Sequence, residues 1–141
     1  MTFNLVVDSS VMVKWLNFTD EKNLEQADKI LADALGGKVK LIAPELSKYE
    51  VGNVLLLKKK LSSKTVNIPI QTLYASPIQF VQESEDLARE TFYLAQDLKI
   101  TYYDASFLSL AKKYNATLIT ENIKHQGKVS EVKVIPLAKY K

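Results

Sequence analysis

Residues 3–16 read FNLVVDSSVMVKWL. Phe3–Val7 is a mostly apolar, valine-rich run without strict alternation, the pattern of a strand buried on both faces. It stops at Asp8, and Ser9 and Ser10 then offer an N-cap for a short helix from Val11 to about Leu16. A doubly buried strand that passes straight into a helix is how a parallel sheet covered by helices begins.

The rest of the chain continues that alternation. Asp20 and Glu21 open a helix whose apolar residues Leu24, Ala27, Ile30, Leu31, Ala34 and Leu35 recur at three and four, and Gly36-Gly37 stop it. A second strand, Val39–Ala43, precedes Pro44 and a long helix from Glu45 to about Lys60, with Leu46, Tyr49, Val54, Leu57 and Leu61 on one face. A helix is expected after Ser62-Ser63, although Val66, Ile68 and Pro69 favour extended backbone within it. Pro77–Gln82 reads as a strand, and Ser84-Glu85-Asp86 cap a helix to Leu98 that counts Thr91 among its inward positions. Another helix runs from Tyr103 or Asp104 to Tyr114, ended by Asn115, before strands at Thr117–Thr120 and Val132–Ile135. The expected fold is a single α/β domain over residues 1–141, a three-layer α/β/α sandwich around a mostly parallel sheet. In such sheets ligands bind beyond the carboxyl ends of the strands.

Composition narrows the chemistry. With 47% apolar and 25% charged residues, the 141-residue chain can bury a core unaided, which excludes collagenous, disordered and disulfide-scaffold classes. The absence of cysteine removes thiol nucleophiles, Cys-ligated zinc and iron–sulfur clusters. A Ser-His-Asp triad would have to use His125, the lone histidine, and no multi-histidine metal site can be built. Carboxylates must therefore carry any catalysis. No apolar run approaches the ~20 residues that span a bilayer, and the opening MTFNLVVDSS lacks a basic leader, so a cytoplasmic protein is expected.

The acids are unevenly placed. Asp8 and Glu121 each follow a strand directly, and Glu50 interrupts the apolar stripe of its helix between Leu46 and Val54, with Asn53 one turn on. Asp104 shares a helix face with Phe107, Leu108 and Ala111. Isolated carboxylates cost several kcal/mol to bury, and the chain has one arginine, Arg89, to pair with them. Oxygen ligands without histidine or cysteine suit Mg²⁺ or Mn²⁺. Each acid also has a plain structural reading: Asp8 as a helix cap, Asp104 as an N-cap stapled by Tyr103 and Leu108, and Glu50 at the rim of a slightly rotated helix.

Three blocks, VVDSSVMVKWL, PELSKYEVGNVLL and ITYYDASFLSLAKKYNATLIT, together with their spacing, resemble the PIN domain family and within it the VapC-type toxin ribonucleases. The resemblance spans essentially the full chain. It implies an α/β/α sandwich and metal-dependent cleavage of RNA, with Asp8, Glu50 and Asp104 as the acids that hold one or two Mg²⁺ or Mn²⁺ ions. Ser10, Asn53 and Thr120 match the family's supporting polar positions. The family's fourth acid falls in Thr-x-Asp, where this chain has Thr120-Glu121-Asn122. Either Asn122 contributes a neutral oxygen there or Glu121 turns inward to replace the carboxylate. The former is preferred, because a shift of one residue past a strand reverses side-chain direction.

The resemblance further implies a homodimer and a small antitoxin partner, while a stand-alone PIN nuclease or a non-catalytic RNA-binding scaffold are the competing readings. Residues 38–64 carry seven lysines against two acids. These lysines and Lys14 are the candidate phosphate contacts, with Lys58–Lys60 more simply read as a solvated helix end, and Tyr103, beside Asp104, is the candidate base-stacking ring.

Overall fold

A computed structural model describes residues 2–121, 123 and 131–141. Its strands are β1 (Phe3–Val7), β2 (Val39–Pro44), β3 (Ile78–Val81), β4 (Thr117–Thr120) and β5 (Val134–Pro136). Its helices are α1 (Ser9–Leu16), α2 (Leu24–Leu35), α3 (Leu46–Leu57), α4 (Asn67–Ala75), α5 (Glu85–Leu98) and α6 (Tyr102–Lys113). The strands make one parallel sheet in the order β3-β2-β1-β4-β5, with β1 at its centre.

Because side chains alternate along a strand, β1 feeds two cores at once. Leu5 and Val7 join the cluster that includes Val11, Ala27, Ile30, Val51 and Leu73 from α1 to α4. Val6 joins the opposite cluster, with Leu87, Phe107, Leu108 and Leu110 from α5 and α6. Leu41 and Ile42 on β2, and Ile119 and Leu118 on β4, split the same way. The fold is therefore the expected three-layer α/β sandwich. β1 and β4 coincide with their sequence readings, whereas β5 begins two residues later than expected and runs through Pro136.

Helix starts and rotations differ from the sequence reading. The cap of α1 is Asp8, not Ser9 or Ser10: its side chain accepts the Ser10 amide, so the helix already includes both serines. Asp20 and Asn23 hold left-handed backbone (φ 59° and 58°), which keeps residues 20–23 out of α2 and delays its start to Leu24. α3 is rotated. Ser47, Val51 and Leu55 face the core, while Tyr49 (74% exposed) and Leu57 (61%), expected on the buried face, point to solvent. α4 forms in spite of Pro69, which lies in its first turn, where a missing N–H breaks no intrahelical bond.

α5 and α6 are joined by a buried polar contact. Thr91 Oγ1 lies 2.6 Å from Ser109 Oγ and donates to the Leu87 carbonyl at 2.7 Å, with Thr91 wholly buried. Thr91→Val keeps the shape and removes the hydroxyl, so urea unfolding should register a loss of about 1–3 kcal/mol. Adding Ser109→Ala should cost less than the sum of the two single changes. Strict additivity in that double-mutant cycle would show that the two hydroxyls do not act as a pair.

Candidate active site

Asp8 leaves β1 at the middle of the sheet's carboxyl edge. Its own amide bonds the Ile119 carbonyl of the neighbouring β4 at 3.3 Å, which brings Thr120 alongside. The Asp8 carboxylate is 6% exposed, and both of its oxygens are engaged. One accepts the Ser10 amide (3.1 Å) and the Ser10 hydroxyl; the other accepts the Thr120 hydroxyl. Burial raises its pKa above the ordinary carboxylate value, although bonds from Ser10, Thr120 and the Val11 amide pull the other way.

Glu50 reaches the same place from the second turn of α3. In the rotated helix it sits at the rim of the buried face, half-buried. Its pKa is pushed up to about 7, chiefly by burial, then by the charge of Asp8 and more weakly by that of Asp104; a bond from the Ser9 hydroxyl opposes the shift. One carboxylate oxygen, Oε1, is buried and has no hydrogen-bond partner among the described residues.

Asp104 enters from the third position of α6. The plain reading of Asp104 as an N-cap is overturned, because Thr101 caps this helix by accepting the Asp104 amide at 3.0 Å. Asp104 is thereby free of capping duty and lies in the first turn, where the helix dipole favours a negative charge.

Glu50 thus feels the charges of both Asp8 and Asp104 at one sheet edge, each carboxylate being delivered by a different element. Among the described residues, no three such groups close into a ready-made metal shell. The donor set still fits a hard cation: a buried carboxylate oxygen lacks a donor, and two further carboxylates stand beside it. Mg²⁺ keeps several of its own waters and needs few protein oxygens.

Other expected residues divide. Ser10 and Thr120 hold Asp8 directly, as their positions suggested. Ser9, which the sequence reading used only as a possible cap, is the residue that reaches Glu50; the serine doublet after Asp8 was the available signal. Asn53 is exposed on α3 and makes no hydrogen bond to these carboxylates among the described residues. Tyr103 is 56% exposed on the first turn of α6, while the Tyr102 hydroxyl is bonded to Glu83. Asn122 and His125 lie outside the described residues.

Lys14 requires a correction. Its side chain is 1% exposed and its ammonium is held by Glu21 at 2.9 Å and Glu121 at 3.1 Å, so it does not face solvent as a phosphate contact would. Glu121 in turn accepts from Asn23 at 3.2 Å. Its partners among the described residues lie in that network, and none of them is Asp8, Glu50 or Asp104.

A family model described as PIN domain matches residues 5–130. The fold resembles the toxin–antitoxin complex from Klebsiella pneumoniae at 19% identity and a TM-score of 0.66, over 94% of this chain and 97% of that one. VapBC2 from Rickettsia felis, bound to a fragment of promoter DNA, is similar at 17% identity and a TM-score of 0.71, covering 95% and 98%. The sarcin–ricin loop cleaving toxin VapC20 of Mycobacterium tuberculosis is similar at 12% identity and a TM-score of 0.64, covering 92% and 98%. No curated protein matches the sequence.

The raised Glu50 and Asp8 carboxyls make stability depend on pH. Glu50 keeps its proton in the folded state up to about 7, while an unfolded glutamate releases it near 4.5, so the folded state binds more protons between these values. The contribution of Glu50 to the stability of the metal-free protein is full below that window and is lost as pH rises through it, and Asp8 acts in the same direction. The melting temperature in chelator should therefore fall from about pH 5 to pH 8. Glu50→Gln should flatten the slope, and Mn²⁺ at pH 8 should restore the midpoint. A midpoint indifferent to pH and to Mn²⁺ would break the link between these carboxylates and a cation.

Proposed function

Because the chain belongs to the PIN domain family, we propose that it is a metal-dependent endoribonuclease that hydrolyses RNA phosphodiester bonds at the carboxylates of Asp8, Glu50 and Asp104. The observation that carries this reading is Glu50 Oε1, buried without a donor between two further acids. An isolated acid in that position is a cost to the fold unless something positive fills the gap. PIN domains are typically metal-dependent nucleases, which supports the same conclusion.

The three acids would hold Mg²⁺ or Mn²⁺, which when bound lowers the pKa of a water and neutralises charge on the reacting phosphate. The protein's own part is orientation. Ser10 and Thr120 fix the Asp8 carboxylate from two sides, and Ser9 steadies Glu50. Asn122, aligned with the family's fourth acid, is proposed to add a neutral oxygen, and Asn53 a polar group at the rim. Tyr103 offers an exposed ring beside Asp104 on which a base can stack.

We extend the proposal to the toxin of a toxin–antitoxin pair. The similar structures from Klebsiella pneumoniae and Rickettsia felis are toxin–antitoxin assemblies. An apolar cleft of about 470 Å³, lined by Trp15, Leu16, Leu31, Leu35 and Leu73, is of the kind an antitoxin segment would cover. Tyr49, Leu56 and Leu57 on α3 and Ile68 and Tyr74 on α4 leave an apolar surface suited to a homodimer. No helix among the described residues is long and apolar enough to cross a membrane.

A mixed RNA pool incubated with Mg²⁺ or Mn²⁺ tests the activity. Wild type should cleave it, and Asp104→Asn should lower the rate by roughly a hundredfold or more. Equal residual cleavage by the two proteins would assign the activity to a contaminant. RNA binding without cleavage would instead favour a scaffold.

A further inference from the structure

A cleft of about 480 Å³ has Ser9 and Ser10 in its wall. Those hydroxyls bond Glu50 and Asp8, so whatever fills the cleft abuts the carboxylate cluster. An RNA strand entering here brings phosphate charge toward three acids and needs a cation from the protein. Three lysines stand close enough to compete for that role: Lys14 behind the wall, and Lys58 and Lys59 in the lining.

Two of the three are already committed. Lys14 is buried between Glu21 and Glu121. Lys59 is bound to Glu21 at 2.7 Å and to the Thr19 carbonyl, with its side chain 10% exposed. These two lysines and two glutamates cancel as a group, and drawing either ammonium toward RNA would leave the group with an uncompensated negative charge. Lys58 differs. It follows the last turn of α3, is exposed, and makes no ion pair among the described residues. Asp20, also in the lining, is likewise without a cationic partner there and is exposed. Among the described residues, the lining keeps after this internal pairing one available positive charge, Lys58, and one available negative charge, Asp20.

We propose that Lys58 is the phosphate-binding residue of this cleft, contacting a phosphodiester of single-stranded RNA on its way to the carboxylates, and that Asp20 opposes that binding. Lysine suits the task as a compact point charge on a flexible stem. The inference rests on the nuclease reading above and adds to it the residue that meets the substrate backbone. Of the lysines that the sequence offered for this role it selects Lys58 over Lys14, whose ammonium serves to hold the α1–α2 connection against the end of β4.

Fluorescence anisotropy with a labelled single-stranded RNA of mixed sequence, titrated from low to high salt, provides the test. Asp104→Asn serves as the parent so that the RNA stays intact. Lys58→Gln should weaken binding about three- to tenfold at low salt and reduce the slope of log Kd against log salt by about 0.7, the signature of one lost phosphate contact on a single strand. Asp20→Asn should tighten binding, and Lys113→Gln, at the far end of α6, should change nothing. A Lys58→Gln protein with the parent's melting temperature and the parent's salt slope would overturn the assignment while leaving the nuclease reading intact. A parent that binds no RNA at all would bring down both.

Discussion

The structure is organised around one buried carboxylate at the end of its central strand. Asp8 is at once the first residue beyond β1, the cap of α1 and an acid almost wholly removed from water. A lone carboxylate there would be prohibitively costly, and the fold offsets the cost with donors from two directions. The amide and hydroxyl of Ser10 come from the helix that Asp8 caps, and the Thr120 hydroxyl comes from β4. The second donor depends on sheet register, because Val7 is paired with Ile119, which sets Thr120 beside Asp8. A slip of one residue would turn Thr120 to the other face of the sheet.

The same edge receives the N-terminal turns of α3 and α6, and with them Glu50 and Asp104. Burial, and after it the neighbouring charges of Asp8 and Asp104, displace the Glu50 pKa upward at this site. Around it the lysines are divided by packing into two kinds. Lys14 and Lys59 are interior struts that neutralise Glu21 and Glu121, whereas Lys58, one residue from Lys59, keeps its charge for solvent or a ligand. Net charge alone cannot make that distinction, because it counts both kinds equally.

Much of this fold was legible in the sequence, and the places where it was not share one cause. Phe3–Val7 and Thr117–Thr120 were readable because a strand buried on both faces needs apolar residues throughout, whatever its neighbours are. The start of α5 was readable because Ser84 caps it through a local bond to the Leu87 amide. The rotation of α3 was not. Its stripe of Leu46, Tyr49 and Leu57 is as good a helical face as Ser47, Val51 and Leu55, and only the seating of the helix against α1 chose between them. The caps of α1 and α6 were ambiguous for a related reason: in DSS and in TYYD more than one residue can cap, and backbone geometry picks Asp8 in the first and Thr101 in the second.

The amino-acid order by itself determined the parallel sandwich and singled out Asp8, Glu50 and Asp104 as a candidate oxygen-only set at one edge of its sheet. These follow from hydrophobic periodicity and from the absence of cysteine and of a second histidine, which are properties of the chain read residue by residue. Tertiary structure alone decided which serine serves which acid, that Glu121 turns to Lys14 and Asn23, and that Lys14 is a buried strut while Lys58 is exposed. Those outcomes depend on contacts between residues as far as a hundred positions apart, such as Asn23 with Glu121 and Thr120 with Asp8. Side-chain partners at such separation are set by the register of the sheet and the rotation of its helices, and no local pattern in the sequence encodes either.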